Sequence, residues 1–220
     1  MTERKIVVPG ETIIQGEEFL PGDGTRREKE DIVASKYGLA DISDKLVRVI
    51  PLSGVYSPRR GNSVIGQIID IKFNGWLVDF NGPTTGFLPV SEYPRYIEQD
   101  ELQDALNFGD LILAKVNNIK ASSVDLSIRL RGFGKLDEGI IMKVNPNKVP
   151  RVIGKEGSMV SLIKELTGCN ITVGQNGLVW IKGQSIDAEL KARKIIEYIC
   201  ENSFIDGLTE KVKSFAETLK

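Results

Sequence analysis

Histidine is absent from this chain, and only two cysteines, Cys169 and Cys200, occur in its 220 residues. Losing histidine removes the commonest general base and metal ligand. Two thiols so far apart make neither a disulfide scaffold nor a four-thiolate zinc site, so both are expected to be reduced core residues. Carboxylate or lysine chemistry stays open, but no paired-carboxylate motif stands out. The expectation is no catalytic residue, no metal site and no cofactor. Runs of 18 or more apolar residues are also missing, and Met1-Thr2-Glu3-Arg4-Lys5 does not read as a signal peptide. A cytoplasmic chain with no membrane partner is expected.

A surplus of either charge is lacking too. The net charge is −1, divided as −2 over residues 1–58, −1 over 59–134 and +2 over 135–220. No segment is strongly basic, so any grip on a polyanion has to come from local patches, from stacking or from several copies acting together.

What is present is ordinary for a globular chain, 41% hydrophobic and 27% charged residues. The length allows two or three small domains. Short apolar runs punctuated by Pro and Gly come first: Ile6-Val7-Val8, Thr12-Ile13-Ile14, Asp31 to Ser35 and Leu46 to Ile50, with a turn at Tyr37-Gly38. They predict a small β module over residues 1–57. Pro21-Gly22-Asp23-Gly24-Thr25 superficially suggests a phosphate cradle, but neither helix nor Lys follows in the required spacing, and a plain turn is the better account.

A second β series over 58–134 begins with Val64 to Ile71 and continues through Gly75 to Phe80, Thr85 to Pro89, a strand from Asp110 through Val116, and Val124 to Leu130. Five strands with one long connection between the third and fourth give the order of an OB-fold barrel. Over 135–205 strands mix with helices in the order β-α-α-β-β-α. Met159, Leu162, Ile163 and Leu166 keep helical spacing up to Thr167-Gly168, Gly174-Gln175-Asn176-Gly177 turns a hairpin, and Ser185 can cap a last helix. Residues 206–220 predict a further amphipathic helix through Leu208, Val212, Phe215 and Leu219, packed on its own domain or on a partner.

Two features carry chemistry. Gly154-Lys155-Glu156-Gly157 stands after Val152-Ile153 and before an amphipathic helix. Two glycines at that spacing let the main chain approach a phosphodiester, and the following helix N-terminus supplies amides. This is the GXXG loop of a KH domain. Lys155 can pair with a phosphate and Glu156 opposes it; the alternative is a loop that serves only as a tight interhelix turn. In the barrel, Phe73, Trp76 and Phe87 could stack bases, or Trp76 and Phe87 could fill the core, which strand alternation does not decide. Lys72, Arg95, Lys120, Arg129 and Arg131 are the cations nearby in the sequence. The candidate RNA-binding set is therefore Lys72, Phe73, Trp76, Phe87, Arg95, Lys120, Arg129, Arg131, Gly154, Lys155 and Gly157.

The whole chain resembles the KH-containing cap subunit of the archaeal RNA exosome. The resemblance rests on Val8-Pro9-Gly10-Glu11, Gly22-Asp23-Gly24-Thr25, Ile32-Val33-Ala34-Ser35, Pro51-Leu52, Val64-Ile65-Gly66, Gly75-Trp76-Leu77-Val78-Asp79 and the run from Val152 to Met159. The chain departs from the family at Asp23, where His is frequent, at Arg26, where an aromatic is, and at Glu156 in the GXXG loop, where a basic or neutral residue is expected. The resemblance implies an S-one-type OB domain and a non-catalytic subunit with two partners: RNA, and a hexameric RNase PH-like ring carrying three cap copies. The ring, which phosphorolyses RNA or runs the reverse, would dock the N-terminal module, with the barrels around its pore. Three copies would concentrate the positive potential that one lacks. Two alternatives stay open. Polynucleotide phosphorylase also joins KH and S-one domains, but after two large catalytic domains for which this chain has no room. A free-standing RNA-binding regulator of translation or RNA folding would need no docking module.

Overall fold

The computed structural model describes residues 5–98, 101–203 and 207–219, in two compact units, Met1–Gly54 and Val55–Lys220. The expected start of the C-terminal segment at residue 206 lies outside the described residues, as do Met1 to Arg4. The multidomain α and β fold class holds: a strand-rich N-terminal part, a closed five-stranded barrel and a KH domain.

The N-terminal unit carries two small sheets. β1 (Ile6–Val7), β6 (Gly38–Ser43), β7 (Leu46–Pro51) and β3 (Leu20–Pro21) form one, in that order, and β2 (Thr12–Gln15), β5 (Asp31–Ala34) and β4 (Thr25–Glu28) the other. Strands β3, β4 and β6 are additional to those read from the sequence. β4 reads Thr-Arg-Arg-Glu and has no apolar face, and Gly38, expected to turn the chain, instead starts β6. A Cβ on Gly38 would lie 2.2 Å from the Ile50 carbonyl oxygen, so only glycine lets β6 approach β7 there. Val7, Ala34, Ala40 and Val49 make the module's small core.

The barrel is β8 (Ser63–Lys72), β9 (Gly75–Asp79), β10 (Gly86–Pro89), β11 (Leu111–Ile119) and β12 (Val124–Ser127). Antiparallel pairing runs β10-β9-β8-β11-β12, and parallel pairing of β10 with β12 closes it. Closure leaves no long open edge. The short β13 (Gly134–Lys135) lies along β11. Alternation turns Val64, Ile68, Trp76, Val78, Leu88, Ile112, Ala114, Val116, Val124 and Leu126 inward. The connection from β10 to β11 contains a short helix, α1 (Leu102–Ala105), whose Leu102 and Ala105 join that core.

The KH domain follows as β14 (Ile140–Lys143), α2 (Val149–Ile153), α3 (Ser158–Thr167), β15 (Asn170–Val173), β16 (Leu178–Lys182) and α4 (Ile186–Glu201), with sheet order β14-β16-β15. Ser185 caps α4 by accepting from the Ala188 N–H at 3.2 Å. Gly168 ends α3 in the left-handed conformation, φ 67°. α5 (Leu208–Thr218) packs on this same domain: Leu208, Val212 and Ala216 enter its core, and Phe215 stacks on Tyr198 with ring centroids 4.2 Å apart. Of the two alternatives for this helix, its own domain takes it.

Candidate nucleic-acid interface

Three loops meet at one end of the barrel. Lys72 pairs with Gly75 at the tip of the β8–β9 hairpin, and the Val90 N–H, just past β10, donates to the Asn74 carbonyl at 3.0 Å. The Ile128 N–H, just past β12, donates to the Glu92 carbonyl at 3.1 Å. The ladders therefore gather Lys72, Phe73, Arg95, Arg129 and Arg131 at a single end, although more than fifty residues separate the first from the last. Arg95, Arg129 and Arg131 are exposed. Lys72 is ion-paired with Asp70 at 2.5 Å, and its ammonium together with the Ile71 N–H holds that carboxyl below the ordinary carboxylate range.

The aromatic candidates divide. Phe73 is 77% exposed on the hairpin tip. Trp76 is fully buried, and its indole N–H donates to the Leu102 and Leu106 carbonyls at 3.3 and 3.0 Å. This corrects the stacking role considered for Trp76: it lies one register step from the outward-facing Leu77, points into the core and is out of reach of a base. Phe87 is half-buried on the outer wall, opposite Leu77 and Asp125. Lys120 belongs to the opposite end, in the turn from β11 to β12, ion-paired with Asp125 at 2.8 Å. Neither Phe87 nor Lys120 is brought to the cationic end.

Tyr96, 87% exposed, was missed by the sequence reading. With Phe73 it lines an open cleft of about 700 Å³ whose other walls include Asn74, Pro89, Ser91 and Glu98. Its signal was an aromatic inside the polar stretch between the third and fourth barrel strands, next to an arginine already singled out.

In the KH domain, Lys155 and Glu156 are exposed at the tip of the loop between α2 and α3. Gly154 has φ 75° and Gly157 φ 81°. A Cβ on Gly154 would lie 2.6 Å from the Met159 nitrogen, so this glycine is demanded by the backbone packing alone; around Gly157 the space is open. Glu156 also adopts the left-handed conformation, φ 53°, which costs a non-glycine residue about 1–2 kcal/mol.

The hairpin turn between β15 and β16, read from sequence only as a turn, joins the KH domain to the barrel. Asn176, fully buried, donates through Nδ2 to the Ile65 and Phe80 carbonyls at 2.7 and 2.6 Å and accepts from the Ile65 N–H at 3.2 Å. The Gln175 N–H donates to the Ser63 carbonyl at 2.8 Å, and Gln175 Oε1 accepts from the Ser63 N–H at 2.9 Å. Ile65, Leu178 and Trp180 form a shared apolar cluster beside them. The joint sits at the Ser63 end of β8, opposite the cationic end.

On the N-terminal unit, register places Ile6, Leu39 and Ile50 in one row and Leu20 and Leu46 in another on one face of the first sheet. Between the rows Arg48 Nε and Nη2 both reach Asp41 Oδ2 at 2.7 Å. Ile6, Leu20, Leu46 and Ile50 are all exposed, an apolar patch of the kind that marks an interaction surface. None of the described helices is long and apolar enough to cross a membrane.

A family model for the KH domain matches residues 139–187. The chain is similar to an exosome complex component Rrp4 from Methanothermobacter thermautotrophicus, 41% identical over all of this chain and 70% of that protein. It is also similar to one from Methanothermus fervidus, 39% identical over 97% of this chain and 95% of that protein, and to one from Thermococcus kodakarensis, 39% identical over 96% and 84%. A solved structure described as an exosome complex RNA-binding protein superposes with a TM-score of 0.68 at 34% identity, covering 76% of this chain and 97% of that one.

Proposed function

Because the chain belongs to the Rrp4 family of exosome complex components, we propose that it is a non-catalytic, cytoplasmic RNA-binding cap. It captures RNA and directs it into the central pore of a hexameric RNase PH-like ring for 3′-to-5′ degradation or tailing. Three copies occupy one ring.

The observation that carries this reading is the convergence of Arg95, Arg129 and Arg131 with Lys72 and Phe73 on one barrel end, in a chain whose net charge is −1. Cations there neutralise phosphates while an exposed ring receives a base. Lys155 on the KH loop and the amides at the start of α3 offer a second, weaker contact. Gly154 and Gly157 shape that loop. The apolar face of the N-terminal sheet supports docking to a protein ring and distinguishes this reading from a free-standing regulator.

The test is single-stranded RNA affinity across a salt series, for the chain alone and assembled on its ring. Replacing Arg129 and Arg131 with alanine together should weaken binding and make the log–log salt slope shallower by about 1.4, the value for two lost contacts to a single strand. Unchanged curves refute the site. Leu46→Asp with Ile50→Asp should abolish ring association without changing the RNA affinity of the free chain; ring binding at full strength refutes the docking assignment. RNA shortening by the purified chain with phosphate and magnesium would end the non-catalytic reading.

A further inference from the structure

We infer that the cleft between Phe73 and Tyr96 is a slot for a single unpaired nucleobase, with the strand's phosphates held outside it by the arginines of the same barrel end. The inference rests on the proposed RNA-binding role and gives that site its orientation: base inward, backbone outward.

Three observations carry it. The two rings are among the most exposed large hydrophobic side chains of the described residues, 77% and 87%, and they line one cleft without making a ring contact with each other. Exposed aromatics of this kind gain area and stacking only when something flat enters between or upon them. The volume, about 700 Å³, lies within the range of roughly 300–1,000 Å³ usual for sites that take small molecules.

Charge then sets the direction of the ligand. Among the described residues that line the cleft, Glu98 is the one charged side chain. A carboxylate there repels a phosphate, while it and the side chains of Asn74 and Ser91 can hydrogen-bond the edge of a base. The cations stand outside, as Arg95 adjoining Tyr96 and as Arg129 and Arg131 on the neighbouring loop. A polyanion is thereby drawn to the rim with only its neutral part admitted.

The slot is also held ready. Tyr93 packs against Trp76, ring centroids 5.7 Å apart, and Ile97 is buried in the barrel core. These two anchors flank Tyr96 and fix the backbone from which its ring projects. Phe73 sits on a two-residue hairpin bounded by the Lys72–Gly75 pair. The backbone at the slot therefore needs little ordering on binding, which favours affinity.

The test is a cycle on the full-length chain with a short single-stranded RNA and the same RNA carrying abasic nucleotides. Tyr96→Ala and Phe73→Ala should each weaken binding of the intact RNA roughly tenfold and leave the salt slope unchanged. Binding of the abasic RNA should be insensitive to both, and Tyr96→Phe should keep wild-type affinity. Both side chains are exposed, so an unchanged Tm verifies that the variants fold. If Tyr96→Ala has no effect while Arg129→Ala with Arg131→Ala weakens binding, the slot is wrong and the RNA-binding end stands. If Tyr96→Ala weakens intact and abasic RNA equally, the ring acts on the backbone and the slot is overturned. If neither the aromatic nor the arginine variants matter, both proposals fall.

Discussion

The side-chain amide of Asn176, at the tip of the KH hairpin, donates to the main-chain carbonyl of Ile65 in the first barrel strand at 2.7 Å and accepts from the N–H of the same residue at 3.2 Å. Asn176 thus acts like a residue of an added strand, pairing with both polar groups of one partner, while Nδ2 also reaches the Phe80 carbonyl. Buried, with both ends of its amide and the three main-chain groups they meet all matched, the joint makes the barrel and KH domain one compact unit.

Asn176→Ala should therefore destabilise the unit by about 3 kcal/mol, since each buried group left without a partner costs ~1–3 kcal/mol. For a unit of this size that is roughly 6–12 °C in Tm, measurable by calorimetry, with faster amide exchange at Ile65. Asn176→Asp should be worse at pH 7 than at pH 4, because an ionised carboxylate only accepts and would face two carbonyl oxygens. A Tm change under 2 °C for the alanine variant would show that the joint does not hold the domains.

Trp76 gives the sharpest separation of stability from binding. Trp76→Phe keeps the core apolar but loses the bonds to Leu102 and Leu106 and part of the packing, and should cost about 1–3 kcal/mol. RNA affinity of the folded variant should stay at the wild-type value. A large affinity loss with unchanged stability would contradict the placement of this ring.

Alkaline stability should depend on Tyr56. This residue is buried against Phe80, its hydroxyl donates to Asn62 Oδ1 at 2.8 Å, and burial pushes its pKa up to about 12. A folded pKa above the unfolded value of 10 means its contribution is complete below pH 10 and lost as the pH rises towards 12. Tyr56→Phe should lower Tm at neutral pH, where the hydrogen bond is worth about 0.5–1.5 kcal/mol. The gap between variant and wild type should shrink above pH 10. A constant gap up to pH 12 would show that the hydroxyl ionises as easily in the folded state.

The KH loop is best probed away from its first glycine. Gly154→Asp, the natural choice from the sequence, would drive a Cβ against Met159 and report misfolding instead of lost phosphate contact. Glu156→Gly removes a left-handed non-glycine residue and a negative charge. It should stabilise the protein by about 0.5 kcal/mol, the relief of strain less the added unfolded-state entropy, and raise RNA affinity at low salt. Lys155→Ala should lower it, by less than the loss of Arg129 and Arg131. Equal affinity for all three chains would leave the loop an interhelix turn only.

Apolar alternation and glycine placement were enough to read the barrel order, the β-α-α-β-β-α succession, the Ser185 cap and the Gly168 stop, because these depend on neighbours within a few residues. Strands β3, β4 and β6 escaped because their pairing partners, not their own composition, make them strands; the same is true of the outward or inward choice at Trp76 and Phe87, which only a known register decides. Of the candidate binders, Lys72, Phe73, Arg95, Arg129 and Arg131 came together and Lys120 and Phe87 did not, a sorting made by barrel closure.

What the amino-acid order determined alone was local: which stretches form strands and helices, where they cap and turn, and that no histidine chemistry is open to this chain. Tertiary structure decided everything that needs two distant segments to meet. Asn176 looks like any turn residue until Ile65 is beside it, and Tyr96 looks like any loop aromatic until Phe73 faces the same cleft. The physical reason is that hydrogen bonds and stacking act over a few ångströms of space, and chain distance carries almost no information about that separation once a barrel has closed.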